Sequence, residues 1–235
     1  MLSTARQIRL VIVGATGMVG GYALQYALDD PAIQRVTVIS RRKSGISDPK
    51  LVEVIHRNFA DCSPLVEVLS GQNAVVYCLG AYTGTVPDAE LRTITVDYTV
   101  EFVRVLRSSS PDASFSFLSG SGADPSGQSQ MAFARYKGEA ELELRTAGFT
   151  RLYIFRPGYI YPVEPRKEPN LGYRVLRMIY PVLRDLFPSQ VIRADDLAEA
   201  MVDAAVWGPA KPGGQIFENR HIQAIYESPY PHASA

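Results

Sequence analysis

The stretch VIVGATGMVGG at residues 11–21 constrains the fold of this chain more than any other feature. The β-branched run Ile8–Val13 leads into it and predicts a strand buried on both faces. Three glycines spaced three residues apart follow, and the apolar pattern of a helix then begins. A strand, a glycine turn and a helix in this order expose backbone N–H groups to a phosphate at the helix N-terminus. The stretch therefore predicts a dinucleotide site with contacts from Gly14, Thr16, Gly17, Met18, Val19 and Gly20.

Apolar strand-like runs alternate with helical patterns over the first two thirds of the chain. The predicted strands lie near residues 8–13, 36–40, 52–57, 74–79, 114–118 and 151–156. The predicted helices lie near residues 19–28, 64–69, 89–107 and 132–147. Because strands and helices alternate, the crossover connections are right-handed and the strands are parallel. We therefore predict an α/β fold with a doubly wound parallel sheet, the Rossmann fold, and a small C-terminal substrate or lid region.

The alternation stops after Arg156, which sets the predicted domain organisation. Residues 1–160 form the dinucleotide-binding core, and 161–190 form a proline-punctuated loop and helix. Residues 191–225, with a helix near 195–206 and a strand near 215–218, complete the same domain. Residues 226–235 are predicted to be a disordered tail.

A helical pattern at 171–187 mixes three arginines with apolar residues, which leaves three interpretations open. The segment is predicted to pack as a lid over the substrate. It also has the composition of a helix that lies on a membrane surface or binds a protein partner.

The composition excludes several classes of function. Lysine plus arginine and aspartate plus glutamate both number 24, so nothing indicates binding to nucleic acid. Two cysteines and three histidines lack the spacing of metal ligands, and we predict no metal. No apolar run is long enough for a transmembrane segment. The expected location is the cytoplasm, with peripheral attachment to the mitochondrial outer membrane as the alternative.

The residues after the second strand indicate which dinucleotide binds. In NAD-preferring sites this strand usually ends in an acidic residue that binds the ribose 2′-hydroxyl. Here it ends at Ser40, followed by Arg41, Arg42 and Lys43. Guanidinium groups pair with a 2′-phosphate, which an acidic side chain would repel. The sequence thus predicts NADP(H), with Ser40, Arg41 and Arg42 as contacts; the alternative is a solvated basic loop.

Several further motifs carry a resemblance to a known family. They are YCLGAYTG at 77–84, VDYTVEFVR at 96–104, LSGSGADPSG at 118–127, KGEAELELR at 137–145, FRPGYI at 155–160 and FENRHI at 217–222. With the first glycine motif they span nearly the whole chain. The chain resembles the atypical short-chain dehydrogenases/reductases, and within them the Tat-interacting protein 30 oxidoreductases and their fungal mitochondrial relatives.

The resemblance implies a catalytic serine, tyrosine and lysine. In the family, the tyrosine donates a proton to a carbonyl while the nicotinamide delivers hydride. A lysine four residues later binds the ribose and lowers the tyrosine pKa. Lys137 matches the lysine, but Phe133 stands in place of the tyrosine. Tyr136, Tyr82 and Tyr159 are the hydroxyls considered as replacements, although Tyr136 is rotated about 100° from Lys137 on a helix.

The resemblance and the positions of the strand ends give the remaining contacts, and the alternative for each strand-end contact is that it only forms a turn. Ser119 or Ser121 would orient the substrate carbonyl, unless they only satisfy backbone groups of the loop. The predicted cofactor contacts at the ends of the third, fourth and sixth strands are Asn58, Phe59, Leu79, Gly80, Ala81, Pro157 and Gly158, together with Lys137. The nearby acidic residues Glu139, Glu141 and Glu143 are interpreted as a solvated helix face.

Two functions follow from this pattern. The first is an NADP(H)-dependent oxidoreductase that acts on a small carbonyl or enone-like substrate. The second is a catalytically weak NADP(H)-binding regulatory or scaffold protein that acts through a protein partner. The absence of the family tyrosine at Phe133 separates them. The sequence is compatible with an oligomer.

Overall fold

A computed structural model describes residues 7–81, 84–164, 180, 186–208 and 216–226. Its strands are β1 Ile8–Val13, β2 Ile33–Ser40, β3 Leu51–Ile55, β4 Ala74–Tyr77, β5 Ser114–Leu118, β6 Leu152–Arg156, β7 Tyr159–Tyr161, β8 Val191–Arg193 and β9 Ile216–Glu218. Its helices are α1 Met18–Asp29, α2 Val66–Leu69, α3 Asp88–Arg92, α4 Tyr98–Ser109, α5 Ala132–Thr146, α6 Ala194–Trp207 and α7 Asn219–Tyr226.

Seven of these strands form one parallel sheet in the order β3-β2-β1-β4-β5-β6-β9. The order reverses between β1 and β4, and this reversal is where ligands bind in doubly wound sheets. Helices cover both faces: α1, α6 and α7 pack on one, and α2, α4 and α5 on the other. Coverage on both sides explains the continuous apolar runs of the strands. The predicted fold class is confirmed.

The structure differs from the predicted elements in three places. The single helix predicted over 89–107 is divided into α3 and α4 by a π-helical turn at Thr93–Asp97. Strands β7 and β8 pair in a separate two-stranded sheet, which the sequence did not predict. Helix α7 was also not predicted. Most of the helix predicted at 171–187 and nearly all of the tail lie outside the described residues.

The glycine turn packs too closely for side chains. Gly14 has a φ of +88°, and a Cβ on it would lie 2.8 Å from the backbone carbon of Cys78. A Cβ on Gly20 would lie 2.3 Å from the Gly14 carbonyl oxygen. Both neighbours are backbone atoms, which cannot move aside as a flexible side chain would. The glycines are therefore required by the contact of α1 with the ends of β1 and β4.

We predict that Gly20→Ala destabilises the fold by about 3 kcal/mol, at the upper end of the overpacking range. The matched control is Gly21→Ala on the next residue of α1, where a Cβ would lie 3.5 Å from the Ala15 carbonyl oxygen. That variant should be neutral or more stable by up to about 1 kcal/mol, because alanine favours helices over glycine. Urea denaturation measures both; equal stability of the two variants would contradict this packing.

Candidate cofactor and catalytic site

The N-terminus of α1 is open to an anion. Its N-cap is Gly17, which has no side chain to cap the helix, and its first turn carries no acidic residue. The N–H groups of this turn lack intrahelical partners and attract a phosphate. Thr16 and Gly17 are exposed, whereas the Val19 side chain is buried in the core, so a contact from Val19 would come from its N–H group. The backbone atoms of the glycine turn are packed in contact with one another, and the open helix N-terminus beside them fits a dinucleotide pyrophosphate.

The basic loop after β2 is held in shape by polar contacts. The buried Ser40 hydroxyl donates to the carbonyl oxygen of Arg42. The Ser44 N–H donates to Glu53 Oε1 at 2.6 Å, and this contact holds the pKa of the Glu53 carboxyl below its usual value. Ser40 therefore shapes the loop, while the side chains of Arg42 and Lys43 project as exposed cations.

A cavity of about 730 Å³ joins the glycine turn to this basic loop. Its lining includes Thr16, Gly17 and Met18 from the turn, and Arg42 and Lys43 from the loop. Much of the remaining wall is formed by Tyr22 and Gln25 of α1 and by residues 162–164. Arg41 is exposed and is not among the residues that line it. The structure thus brings Arg42, rather than Arg41, together with the predicted phosphate contacts.

Lys137 lies at the carboxyl ends of the central strands. It is only 6% exposed, and its Nζ donates to the Leu118 carbonyl oxygen at 2.7 Å. The ammonium also lies 4.7 Å from the centre of the Phe117 ring. Burial lowers the Lys137 pKa to about 8, opposed by the electrostatic effects of Cys78 and Glu141. This position and charge suit a group that acts on a ligand at the edge of the sheet.

The interpretation of Glu141 as part of a solvated face is wrong. Glu141 is fully buried, and it forms an ion pair with Arg156 whose Nε lies 2.9 Å from Oε1. Ser119 donates its hydroxyl proton to the same carboxylate. The sequence carried one signal for this site: Glu141 follows Lys137 by one helical turn, among the buried Ala134, Ala140 and Leu144. A hydroxyl has one proton, and in this arrangement that of Ser119 is donated to Glu141 rather than left for a substrate carbonyl.

Phe133 occupies the helical turn before Lys137. A Cβ on Gly120 would lie 2.5 Å from Phe133 Cζ, so the tip of the ring lies against the loop between Ser119 and Ser121. Tyr136 is turned elsewhere: its hydroxyl donates to Asp88 Oδ2 at 2.6 Å. Ser121 is exposed. Tyr159 is half-buried, and Tyr82 lies outside the described residues.

The other predicted contacts follow the ends of the parallel strands. Leu79, Gly80 and Ala81 come after β4, next to Gly14. The Phe59 ring is buried in the core, so only its backbone could meet a cofactor, whereas Asn58 is exposed. The Pro157 carbonyl accepts from the Ser121 N–H. The Gly158 N–H donates to Asn219 Oδ1 at 2.9 Å, a buried partner that the sequence reasoning did not single out.

A glycine turn at the strand-order reversal of a parallel sheet is the mark of NAD(P)-binding Rossmann proteins. Comparison with known families agrees, because this chain belongs to the NAD(P)H-binding family, whose model matches residues 14–206. The predicted NAD(P)-binding domain is thereby confirmed.

Among curated proteins, the chain is 29% identical over 208 residues to protein fmp52, mitochondrial, of Aspergillus clavatus, covering 84% of this chain and 86% of that protein. It is 26% identical over 215 residues to protein HTATIP2 of Rattus norvegicus, covering 90% and 86%. These relatives are the groups that the sequence motifs resembled.

Solved structures share the fold. The Bordetella bronchiseptica enzyme WbmG in complex with NAD has a TM-score of 0.66 at 14% identity, covering 96% of this chain and 78% of that one. A short chain dehydrogenase family protein from Francisella tularensis has a TM-score of 0.61 at 13% identity, covering 86% and 92%. At such identities the likeness shows the fold alone.

Two further observations concern membranes and metals. Within the described part of the chain, no helix combines the length and apolarity needed to cross a bilayer. Among the same residues, no three histidine, cysteine or acidic side chains are grouped so that they could hold a metal ion.

Proposed function

We propose that this protein is an NADPH-dependent reductase that acts on a small carbonyl or enone-like substrate. The observation that carries the choice of NADPH is the shared cavity: Arg42 and Lys43 line it together with the glycine turn. A 2′-phosphate carries about two negative charges, which a guanidinium binds through paired hydrogen bonds. Ser40, at the end of β2, adds no charge that would repel it. Among the described residues that line the cavity, Glu164 is the one carboxylate, against these two cations.

The burial of Lys137 supports catalysis rather than passive binding. Removing an ammonium from water costs free energy unless a carboxylate neutralises it. The nearest buried carboxylate, Glu141, is already paired with Arg156. If position 137 served only packing, an apolar side chain there would make the folded protein more stable than a lysine does. Groups whose pKa is strongly shifted are typical of functional sites. Bound NADPH would supply the hydride beside Lys137.

The basic loop provides a direct test of cofactor choice. We predict that Arg42→Ala weakens NADPH binding by about 10-fold or more, since a charge-assisted phosphate contact contributes about 1.5–3 kcal/mol. NADH binding should change by less than about 2-fold. Arg41→Ala is the matched control, because it removes the same charge from the neighbouring residue but leaves the cavity lining intact. Fluorescence titration measures each affinity; equal losses for both cofactors would contradict the assignment.

Turnover is tested separately from binding. We expect the wild-type protein to oxidise NADPH in the presence of simple carbonyl compounds, and the panel should include benzaldehyde, cyclohexenone and menadione. Absorbance of NADPH follows the reaction, with NADH as the comparison. Tight NADPH binding without turnover of any compound would instead support the regulatory or scaffold function.

We infer a cytoplasmic location and keep peripheral attachment to the mitochondrial outer membrane as the alternative. The alternative is supported by the fungal relatives, which are named mitochondrial. Cell fractionation decides between them. Recovery in the cytosolic fraction is expected, whereas recovery with mitochondria and release by alkaline carbonate would favour peripheral attachment.

A further inference from the structure

The reduction of a carbonyl requires a proton as well as a hydride, and Phe133 cannot supply one. Two of the hydroxyls near α5 already donate in other hydrogen bonds. Tyr136 donates to Asp88, and Ser119 donates its single proton to the Glu141 carboxylate. Glu141 cannot release Ser119 cheaply, because it is fully buried and already bound by Arg156. In this arrangement Tyr136 and Ser119 are therefore not available as the proton donor.

Phe133 and Lys137 reach the same short loop from adjacent turns of α5. The tip of the Phe133 ring lies against Gly120, and Lys137 Nζ donates to the carbonyl oxygen of Leu118, two residues earlier. An ammonium has three protons. Within the described chain, only one of those of Lys137 has a hydrogen-bond acceptor, the Leu118 carbonyl. Among the described residues, the other two protons have no acceptor, and Phe133 lies one helical turn away on the same loop.

We propose that Lys137 itself is the proton donor of the reduction, in the role that tyrosine has in related reductases. This assignment rests on the proposed function. Bound NADPH would supply the hydride to the carbonyl carbon. As the carbonyl π-electron pair moved to oxygen, that oxygen would take a proton from Lys137 Nζ. The products are an alcohol, the oxidised nicotinamide and a neutral amine at Lys137. The amine then regains a proton from water.

The surroundings of Lys137 make it acidic enough for this step. Burial lowers its pKa to about 8, which is in the range where a lysine works as a general acid or base near neutral pH. Cys78, at the end of β4, and Glu141, on α5, oppose the shift. The charge of Glu141 is offset by Arg156 on β6, and β5 contributes the uncharged Phe117 ring. Burial therefore dominates.

The rate of carbonyl reduction depends on pH because the reaction requires the protonated form of Lys137. The rate of carbonyl reduction should be constant below about pH 7, and it should fall through one ionisation near pH 8 as Lys137 loses its proton. A tyrosine donor, whose unperturbed pKa is about 10, would lose its proton at higher pH unless a neighbouring charge lowered its pKa.

The test replaces Lys137 with arginine, which keeps the positive charge but does not lose a proton at any workable pH. With NADPH held at saturation for each protein, benzaldehyde turnover of Lys137→Arg should fall about 100-fold or more, the usual contribution of a general acid. The fall above pH 8 should disappear. Menadione reduction should be affected less, because a quinone accepts hydride without simultaneous protonation of an alkoxide. Phe133→Tyr added to Lys137→Arg should restore part of the benzaldehyde activity.

A second measurement, of the Lys137 pKa, requires neither a variant nor catalytic turnover. Competitive acetylation of the wild-type protein at a series of pH values, read by mass spectrometry, reports the pKa of Lys137 against exposed lysines such as Lys43. Titration of Lys137 near pH 8 is expected, and titration near its unperturbed value of about 10.4 would overturn the proposal.

The possible failures are distinguishable. If the wild-type protein binds NADPH but reduces no carbonyl, the proposed function is wrong and the donor assignment falls with it. If the wild-type protein turns over benzaldehyde and Lys137→Arg retains that activity within about 3-fold, the reductase assignment stands and only the donor assignment is wrong.

Discussion

The close approach of α1 to the end of β1 is the contact on which the rest of the site depends. A Cβ on Gly20 would lie 2.3 Å from the Gly14 carbonyl oxygen, so the helix starts directly beneath the strand end. That contact places an uncapped helix N-terminus at the reversal of strand order. It also places the turn beside the loop that carries Arg42 and Lys43. Backbone packing therefore leaves the helix N-terminus open to the phosphate that we propose binds there, and the proposed choice of NADPH rests on the basic loop.

The surroundings of Lys137 depend on how the charges of Lys137, Glu141 and Arg156 are paired. Glu141 and Arg156 neutralise one another, and Glu141 also accepts a hydrogen bond from the Ser119 hydroxyl. Lys137 is left with a backbone carbonyl and an aromatic ring. Because no carboxylate neutralises Lys137, burial lowers its pKa towards neutrality. The ion pair thus removes Ser119 as a hydrogen-bond donor and leaves Lys137 acidic, which connects packing of α5 to the chemistry we propose.

The sequence predicted most of the sheet because strands buried on both faces read as continuous apolar runs. The phosphate turn was equally predictable, since the glycine spacing has a local steric cause. Glu141 was misinterpreted because its burial is stabilised by Arg156, a partner 15 residues away that no local pattern indicates. The pairing of β7 with β8 depends on a contact across about 30 residues and was missed for the same reason. The sequence could not show which of Arg41 and Arg42 lies nearer the cofactor, because this depends on the cavity, which Arg42 lines and Arg41 does not.

The most direct test of this account is a crystal structure of the protein with NADP⁺ bound. We expect the pyrophosphate at the N–H groups of the first turn of α1 and the 2′-phosphate within hydrogen-bond distance of Arg42. The nicotinamide ribose should lie at Lys137, with its ring beside Phe133. A 2′-phosphate directed into solvent away from Arg42, or a nicotinamide distant from Lys137, would contradict the account.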